Sequence, residues 1–495
     1  MLGYLVLTLL LVWASLFSPW VRVGALLWGA VLVVAVRDYF QIQDNVRRNY
    51  PFVGSLKQLI QKQRHIPQEV LLQSSWEGRP FSLLQQRIVH KRAEDALTNE
   101  PFGTELDYRA IGHDWLLHSL YPSSDLDDDL RVVVGGPYCQ RPYSCSILNV
   151  SAMSFGSISS HAVQALCEGA LIGNFAVNTG EGGVTKHHLE SGCDLIWQIG
   201  TGYFGCRDSD GQFSEESFEK KANSTLIKMI EIKVSQGAKP GFGAILPASK
   251  NTEEIAKYRD IEPHTDVHSP PHHSAFRNHE EMLKFISNLR EKTDGKPIGI
   301  KLCLGCKDEF VKLCRLIQQE QSGPDFITIA GGEGGSGAAA LDSVHHVGAP
   351  AEESLVFVHD RLVEFGLREE IKIFVAGKVI SGFDIFRYLA LGADVCYSAR
   401  GMMFALGCVQ SLKCNTNCCP TGITTMNKSR VSGLVVSAKK QKVANYHANT
   451  IEGVGSLLKA AGMSDRSSLS RSLIERRTQT GEVRSLEQIY PSVTK

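Results

Sequence analysis

The chain has 495 residues, enough for one large α/β domain of roughly 250 to 300 residues with sizeable additions. Lys plus Arg and Asp plus Glu each number 52, and the two signs are interspersed, so the chain lacks the charged field that nucleic acids or acidic partners bind. The 13 cysteines show no small-domain disulfide framework, so we expect reduced thiols or metal ligands and a catalytic part that faces the cytosol.

Residues 1–37 form the one strong break in composition. Two apolar stretches, Leu2–Phe17 and Val23–Val36, flank the segment Ser18–Trp20, and Arg22 is the single charge among them. One continuous helix would measure about 50 Å against a hydrocarbon core of roughly 30 Å, so we predict a hairpin of two membrane spans with Pro19 and Arg22 in the turn. Basic residues after the second span place the body on the cytoplasmic side of the inner (cell) membrane. The alternative is a cleaved signal peptide, but its basic first segment and its cleavage pattern are missing.

Residues 38–145 are polar and mixed. The amphipathic run Ser82–Ala93 precedes the loop-like stretch Asn99–Asp107. We therefore predict a helical approach segment over these residues.

Residues 146–430 alternate short apolar runs with helical patterns, which predicts a parallel α/β sheet. The predicted strands are Ser146–Val150, Leu226–Val234, Ile298–Leu302, Phe326–Ile329, Ile371–Val375 and Val395–Ser398, and the predicted helices are Ser160–Ile172, Lys307–Gln318 and Phe383–Leu391. Glycine-rich turns follow several strands: Met153–Gly156, Asn178–Gly183, Gly237–Gly243, Gly331–Gly337 and Gly377–Gly382. Because the later loops of closed barrels commonly bind a phosphate, we expect the last two turns to form a phosphate site.

A cluster of cysteines follows the last predicted strand. Cys408, Cys414 and Cys419 lie within twelve residues, and Pro420 follows directly. Soft thiolates at this spacing suit an iron–sulfur cluster better than zinc, which would take a fourth ligand, and three ligands indicate a three-iron cluster. We assign Cys418 to packing, because adjacent side chains rarely point the same way. On spacing alone, buried inert thiols remain the alternative.

Residues 431–495, rich in Ser, Lys and Arg, are predicted to form a mostly helical tail. Cys303 and Cys306 lack a second pair at zinc spacing, so we expect core or loop thiols. His272 and His273 follow two prolines and are expected to line the site without binding metal.

Several motifs in one order resemble the FMN- and iron–sulfur-containing synthase domain of glutamate synthases. They are Ser151–Ser157, Asn178–Gly183, Glu231–Gly241, Pro270–His273, Gly334–Ala338 and the three cysteines. The resemblance covers about residues 80 to 430, and it is greatest to the stand-alone, membrane-anchored proteins of that family.

The resemblance implies an FMN-binding (β/α)8 barrel with a [3Fe-4S] cluster beside the flavin. In that family ammonia adds to 2-oxoglutarate, and the resulting 2-iminoglutarate is reduced to L-glutamate by hydride from flavin N5. A dicarboxylate needs fixed cations, and a reduced flavin needs a positive neighbour. The expected activity is therefore that of an oxidoreductase that forms an amino acid.

The resemblance also assigns individual residues. Glu181 and Lys239 match the catalytic positions, and Lys239 and Arg259 match the substrate-binding positions. The implied cofactor-binding residues are Met153, Ser154, Asn178, Lys301, Gly334, Gly335, Gly337, Gly377, Gly382 and Arg400, with Cys408, Cys414 and Cys419 on the cluster. Without the motifs, the cations would be interpreted as solvated surface charges, and Glu181 as a helix cap. The run from Gly332 to Gly337 also matches a dinucleotide fingerprint, but its mid-domain position favours an FMN phosphate.

Two departures from the family limit the prediction. The chain begins with the membrane hairpin instead of a glutaminase, so we expect free ammonia or an amine as nitrogen source and an external electron donor, either ferredoxin or a reductase subunit. Ile245 stands where the family has a Gln, which leaves polar atoms of the oxo-acid unpaired at a cost of about 1 to 3 kcal/mol. The oxo-acid is therefore 2-oxoglutarate or a related compound. The alternatives are a synthase of N-substituted glutamates and a membrane-tethered FMN/iron–sulfur electron carrier.

Overall fold

The computed structural model describes residues 7, 8, 10, 13, 14, 19–62, 78–235, 237, 241, 243, 245–337 and 339–493. Among the described residues from 19 to 93, the helices α1 to α4 are Pro19–Phe40, Asn45–Asn49, Val53–Lys62 and Leu83–Ala93. Ser82 caps α4 in a reciprocal arrangement with Gln85, which satisfies the free backbone N–H groups of its first turn.

Helix α1 is the one helix of the described residues that is long and apolar enough to cross a membrane. Only 6% of its apolar window is buried inside the protein. The first predicted span, Leu2–Phe17, lies mostly outside the described residues, so the two-span hairpin stays a prediction. The predicted turn is wrong in one respect: Pro19 and Arg22 belong to α1 itself. A proline fits the first helical position, where its missing N–H would have no helical partner.

Residues 94–159 hold four short strands, β1 to β4, and no helix. The strands are Asp114–Leu116, Arg131–Val134, Tyr143–Ser146 and Leu148–Val150. The predicted helical character of residues 38–145 is therefore wrong for their second half. This half is rich in Asp, Ser, Pro and Gly, which favour turns over helix.

Eight parallel strands close into a barrel, which confirms the predicted (β/α)8 fold. The barrel begins with β4 and continues with β5 (Val177–Asn178), β6 (Leu195–Ile199), β7 (Ile227–Lys233), β10 (Ile298–Leu302), β11 (Phe326–Ala330), β12 (Lys372–Ala376) and β13 (Val395–Ser398). Between β7 and β10 an antiparallel pair forms from β8 (Ile245–Leu246) and β9 (Val267–His268). The predicted strand Ser146–Val150 is in fact two strands, because β3 pairs with β2 and only β4 joins the barrel.

Helices follow the barrel strands. They are α5 (Ser160–Gly173), α6 (Lys186–Leu189), α7 (Glu215–Ala222), α8 (Glu253–Arg259), α9 (His279–Lys292), α10 (Lys307–Glu320), α11 (Leu341–His346), α12 (Ala351–Glu364), α13 (Gly382–Ala390) and α14 (Arg400–Ala405). Side chains such as Ile230, Ile300 and Phe374 are fully buried. The helices thus cover the barrel on its outside, and the carboxyl ends of the strands are left to carry a site.

The C-terminal residues return to the barrel and to the approach segment. They form α15 (Lys428–Val431), α16 (Val436–Ala460), β14 (Ile474–Arg477), β15 (Val483–Ser485) and α17 (Leu486–Ile489). The predicted helical tail is wrong after α16, since β14 pairs with β1 and β15 in a three-stranded sheet. A strand whose partner lies more than 350 residues away leaves little trace in local sequence.

Candidate functional site

A cavity of about 190 Å³ opens at the carboxyl ends of the barrel strands. Its lining comes from residues at or just after the strand ends, namely Met153 and Ser154 after β4, Glu181 after β5, Lys233 at the end of β7, Lys301 in β10, Gly335 and Gly337 after β11, and Arg400 after β13. This is the end at which barrel enzymes carry their active sites.

The described lining is strongly cationic. Five cations face one carboxylate: the cations are Lys233, Lys250, Arg259, Lys301 and Arg400, and the carboxylate is Glu181. A cavity with this excess of positive charge favours anionic ligands over neutral or cationic ones.

Glu181 is held by its neighbours on two loops. Its Oε1 accepts a hydrogen bond from Lys233 Nζ at 2.5 Å, and both side chains are largely buried. The preceding residue, Gly180, has φ +64°, and a Cβ there would approach the backbone N of Ser154 to 2.6 Å. The loops after β4 and β5 thus pack backbone against backbone, which only glycine permits, and this contact brings Glu181 to the cavity.

Arg259, the last residue of α8, is buried at 4% exposure. Its Nη2 donates to Phe155 O at 3.0 Å, the guanidinium lies over the Phe204 ring, and Nε has no hydrogen-bond partner in the described residues. Burial lowers the pKa of Arg259 to about 10, so the group remains charged at neutral pH. Within the described part of the chain no carboxylate forms an ion pair with it, and an anion in the cavity would supply the missing partner.

Lys301 lies beside Lys233 in the register of β10 and β7. Burial lowers the pKa of Lys301, and the nearby carboxylate of Glu231 acts in the opposite direction. Glu231 is completely buried and accepts hydrogen bonds from Asn178, Gln198 and Thr328. A cation on the barrel axis is thus stabilised from below by a fixed carboxylate and faces the cavity above.

Lys250 joins the cavity to the cysteine-bearing loop. It is 3% exposed, and its Nζ donates to Ser157 O at 2.7 Å and to Cys414 O at 3.3 Å. Burial lowers the pKa of Lys250 to about 8, while the charges of Cys414 and Cys419 act to raise it. The loop with the thiols therefore borders the same cavity.

The three predicted cluster ligands are neighbours. Burial raises the pKa of Cys408 to about 11, with smaller contributions from the charges of Cys414 and Cys419. Burial also acts to raise the pKa of Cys419, but hydrogen bonds from Thr421 and Thr424 outweigh it and lower that pKa. Arg400 Nη1 lies 3.9 Å from Cys414 Sγ. The described residues contain no group of three or more His, Cys, Asp or Glu close enough for a single metal ion.

Most of the predicted site residues line the cavity, but some do not. Those that line it are Met153, Ser154, Glu181, Arg259, Lys301, Gly335, Gly337, Arg400 and Cys414. Asn178 lies below it on Glu231, Gly334 precedes the lining residues of its loop, and Lys239 falls outside the described residues. The roles of all these residues stay predictions.

Gly377 and Gly382 have a packing role in the structure. A Cβ on Gly377 would lie 2.4 Å from the Tyr388 hydroxyl, and one on Gly382 would lie 3.0 Å from the backbone of Gly453 in α16. Neither glycine lines the cavity. Sequence alone cannot separate a glycine needed for close packing from one needed for phosphate.

Two assignments of neighbouring residues need correction. Cys418 is exposed, so it is not a packing residue. His273 is buried and bonds Tyr203 and the backbone O of Lys233, so it supports the end of β7 instead of lining the cavity.

Among the polar residues of the cavity that sequence reasoning missed are Lys233, Lys250 and Gln198. Lys233 stands at the end of a predicted strand, as Lys301 does, and that position was the available signal. Lys250 lies in a short 3₁₀ helix, and Gln198 in the unpredicted strand β6, where no local feature marks them.

Comparison with known proteins agrees with these motifs. Residues 143–464 match the family described as the conserved region in glutamate synthase. The glutamate synthase large subunit-like protein YerD of Bacillus subtilis is 33% identical over 500 residues, which cover 92% of this chain and 94% of that protein. The archaeal glutamate synthase (NADPH) of Methanocaldococcus jannaschii is 33% identical over 322 residues, which cover 65% of this chain and 60% of its own length. A flavocytochrome b2 structure with pyruvate bound is 15% identical, covers 86% of this chain and 91% of its own, and has a TM-score of 0.45.

Proposed function

Because this chain belongs to the glutamate synthase family and is an oxidoreductase of that type, we propose that it reduces an imino acid to an amino acid with FMN. The imino acid forms from 2-oxoglutarate, or a related oxo-acid, and ammonia. Cys408, Cys414 and Cys419 would hold a [3Fe-4S] cluster, which would supply electrons to the flavin.

The excess of buried positive charge at the cavity is the observation that carries this proposal. Neither Arg259 nor Lys301 forms an ion pair in the described part of the chain; the charge of Glu181 acts on both, and the charge of Glu231 acts on Lys301. Such cations are costly to bury unless a ligand pairs with them. A dicarboxylate oxo-acid at Arg259, and the anionic pyrimidine edge of a reduced flavin at Lys301, would supply the missing negative charge.

The side chains of the described residues are chemically suited to bind FMN. Bound FMN supplies the hydride. Lys301 would hold its pyrimidine edge, Met153 and Ser154 would border the ring, and Gly334, Gly335 and Gly337 with Arg400 would bind the phosphate. Glu181, hydrogen-bonded to Lys233, would move a proton at the substrate nitrogen. Lys239 completes the proposed set of substrate-binding residues.

The cysteine loop fits an iron–sulfur cluster better than a single ion. Each thiolate of such a cluster binds a different iron, so the sulfurs stand further apart than around one metal. The neighbouring cations Lys250 and Arg400 suit a negatively charged cluster, and the lowered pKa of Cys419 favours the thiolate that iron requires.

The oxo-acid pocket has one apolar side. Ile245 lines the cavity together with Leu246, where the resemblance leads us to expect a hydrogen-bonding Gln. An apolar side chain here weakens discrimination in favour of the second carboxylate of 2-oxoglutarate. We therefore keep a related oxo-acid, and an amine in place of ammonia, within the proposed range of substrates.

The site is proposed to work at the cytoplasmic face of the inner membrane. Helix α1 exposes a series of large apolar side chains: Trp20, Leu26, Leu27, Val33 and Phe40. Exposed apolar surface of this extent on one helix suits lipid. The proposed electron donor is external, either ferredoxin or a reductase subunit.

The test is anaerobic reduction of the purified full-length protein, followed by stopped-flow reoxidation. With oxo-acid and ammonia together, the flavin should reoxidise much faster than with either alone, and amino acid should accumulate. Methylamine outcompeting ammonia would identify a synthase of N-substituted glutamates. If bound FMN reoxidises at the same rate with and without every oxo-acid and amine, the proposal is refuted. The alternative of an electron carrier then remains.

A pair of variants localises the effect. Arg259→Met should raise the KM for the oxo-acid, whereas Arg290→Lys, a buried change at the Asp325 ion pair away from the cavity, should leave that KM unchanged. Equal effects of the two variants on the response to the oxo-acid would mean that Arg259 supports the fold and does not bind the substrate.

A further inference from the structure

The loop that carries the three cysteines has no regular secondary structure. Between the end of α14 and α15, residues 406–427 contain neither helix nor strand. Gln410, Leu412 and Asn417 all have positive φ, a conformation that is uncommon for residues other than glycine and least strained for Asn. The shape of this loop is therefore set by its contacts with other parts of the chain.

Asn45 makes the contact that joins the start of the loop to the residues just after its last cysteine. Its Nδ2 donates to Leu406 O at 3.1 Å and to Thr421 O at 3.0 Å, so one amide bonds the residues on either side of the three cysteines. The side chain is buried at 1% exposure, and its Oδ1 has no partner in the described residues. Two hydrogen bonds from one buried donor group to the opposite ends of a loop restrict the distance between those ends.

Asn49, one turn later in α2, makes a parallel contact. Its Nδ2 donates to Pro420 O at 3.0 Å and to Arg430 O at 3.2 Å. Pro420 directly follows Cys419 in the chain. The buried Lys439 of α16 donates to Gln43 O at 2.8 Å, which fixes the start of α2 against the barrel.

Segment 41–49, called the anchor segment below, is in turn hydrogen-bonded to the end of α1. Asp38, in the last turns of α1, is fully buried and accepts hydrogen bonds from Arg47, Ser55 and the backbone N of Phe52. Asp44 caps α2 by accepting from the backbone N of Val46. Helix α1 and the cysteine loop are thus connected by hydrogen bonds through segment 41–49.

From these contacts we propose that Asn45 and Asn49 are positioning residues for the cysteine ligands, and that the anchor segment holds the loop in its cluster-binding shape. The inference rests on the proposed cluster at Cys408, Cys414 and Cys419. The inference also places the entry of electrons into the cluster near the end of α1. Asn45 follows Phe40, the last residue of α1, by five residues, which span at most about 17 Å. A donor that serves this loop works close to the membrane surface from which α1 emerges.

The test uses the different exposure of two adjacent thiols. Cys418 is exposed and Cys419 is 5% exposed, and both lie on the same tryptic peptide after Lys413. The full-length protein in detergent is labelled with iodoacetamide, and fragment mass spectra give the alkylation ratio of Cys419 to Cys418. Iron and sulfide per FMN are measured on the same samples.

We expect Asn45→Ala and Asn49→Ala each to raise the labelling ratio about tenfold and to lower iron per FMN, while FMN per chain is unchanged. The control is Asn449→Ala, which removes two hydrogen bonds of Asn449, to Arg92 O and to Asp95, that do not involve the loop. It should change neither value. If one variant loses FMN through misfolding, the other still decides the question.

Unchanged labelling and iron content in both variants would overturn the positioning role. A wild-type protein without iron would instead refute the cluster, and the labelling ratio would still report whether the segment holds the loop. The failure of this inference is thereby distinguishable from the failure of the proposed function.

Discussion

Replacing Arg259 by Met should weaken oxo-acid binding without weakening the fold. The guanidinium is buried at 4% exposure, and within the described residues it has one hydrogen bond, to Phe155 O, and no ion pair. Methionine fills a similar space with a flexible apolar side chain. The substitution thus removes a charge whose proposed partner is the ligand and not the protein.

The effects on stability and on oxo-acid binding can both be estimated from these contacts. Losing the hydrogen bond to Phe155 and the contact with the Phe204 ring costs about 1 to 2 kcal/mol of stability. Removing a buried cation that has no ion-pair partner gains back a similar amount. The stability should therefore stay within about 1 kcal/mol of wild type. Charge-assisted bonds to a carboxylate contribute about 1.5 to 3 kcal/mol, so kcat/KM for the oxo-acid should fall about 10- to 150-fold.

Arg290→Met is the matched control for stability. Arg290 is buried to a similar degree, but it pairs with Asp325 at 2.9 Å and donates to Gly323 O. Removing it leaves the Asp325 carboxylate buried and unpaired, which should cost about 3 to 5 kcal/mol. Thermal unfolding and flavin reoxidation kinetics of both variants provide the comparison. A large loss of stability in Arg259→Met, or an unchanged KM for the oxo-acid, would refute the reasoning.

Three further changes test other parts of the site and the fold. Glu181→Gln removes the charge that pairs with Lys233, and it should slow flavin reoxidation at saturating substrate about 100-fold or more while FMN stays bound; a normal rate would exclude proton transfer by Glu181. Ile245→Gln should raise kcat/KM for 2-oxoglutarate about tenfold, and no change would exclude Ile245 as the selective residue. Burial lowers the pKa of His447 from 6.5 to about 3, so the unfolded chain binds the extra proton between those values and stability must fall as pH decreases below 6.5. At pH 5.5 this loss is about 1.4 kcal/mol for His447, and His447→Gln should reduce the fall in melting temperature between pH 7.5 and 5.5; an identical fall would contradict the assignment.

The barrel could be predicted because its strands are locally distinct. Runs such as Ile298–Leu302 and Phe326–Ala330 are short, largely apolar segments; the first carries Lys301 near its end, Gly331 follows the second, and helical patterns separate them. The two-residue strand β5 is too short for any periodicity, and its place became clear only from its pairing with β4 and β6. The pairing of β14 with β1 depends on tertiary contacts in the same way.

The residues of the candidate site also fall into two groups, those that local sequence marks and those that only tertiary contacts reveal. Residues inside recognisable motifs, such as Glu181 and Lys301, could be predicted to approach one ligand, because strand ends of a barrel converge. Lys250 could not, since it reaches the cavity from an excursion between β7 and β10 and bonds to a carbonyl more than 160 residues away. Contacts of this kind have no period or spacing that a sequence pattern can report.

The same distinction explains how the anchor segment and the cysteine loop come to depend on each other. The loop is irregular and holds its backbone in left-handed conformations, which cost free energy that local structure does not return. Asn45 and Asn49 offset that cost through four bonds to backbone oxygens, and they stand directly after a helix whose exposed face suits lipid. If the loop binds a cluster, as proposed, the free energy that keeps it ready for iron comes partly from the segment that follows the apolar helix α1. Removing the anchor segment should therefore slow electron transfer into the protein before it destabilises the barrel.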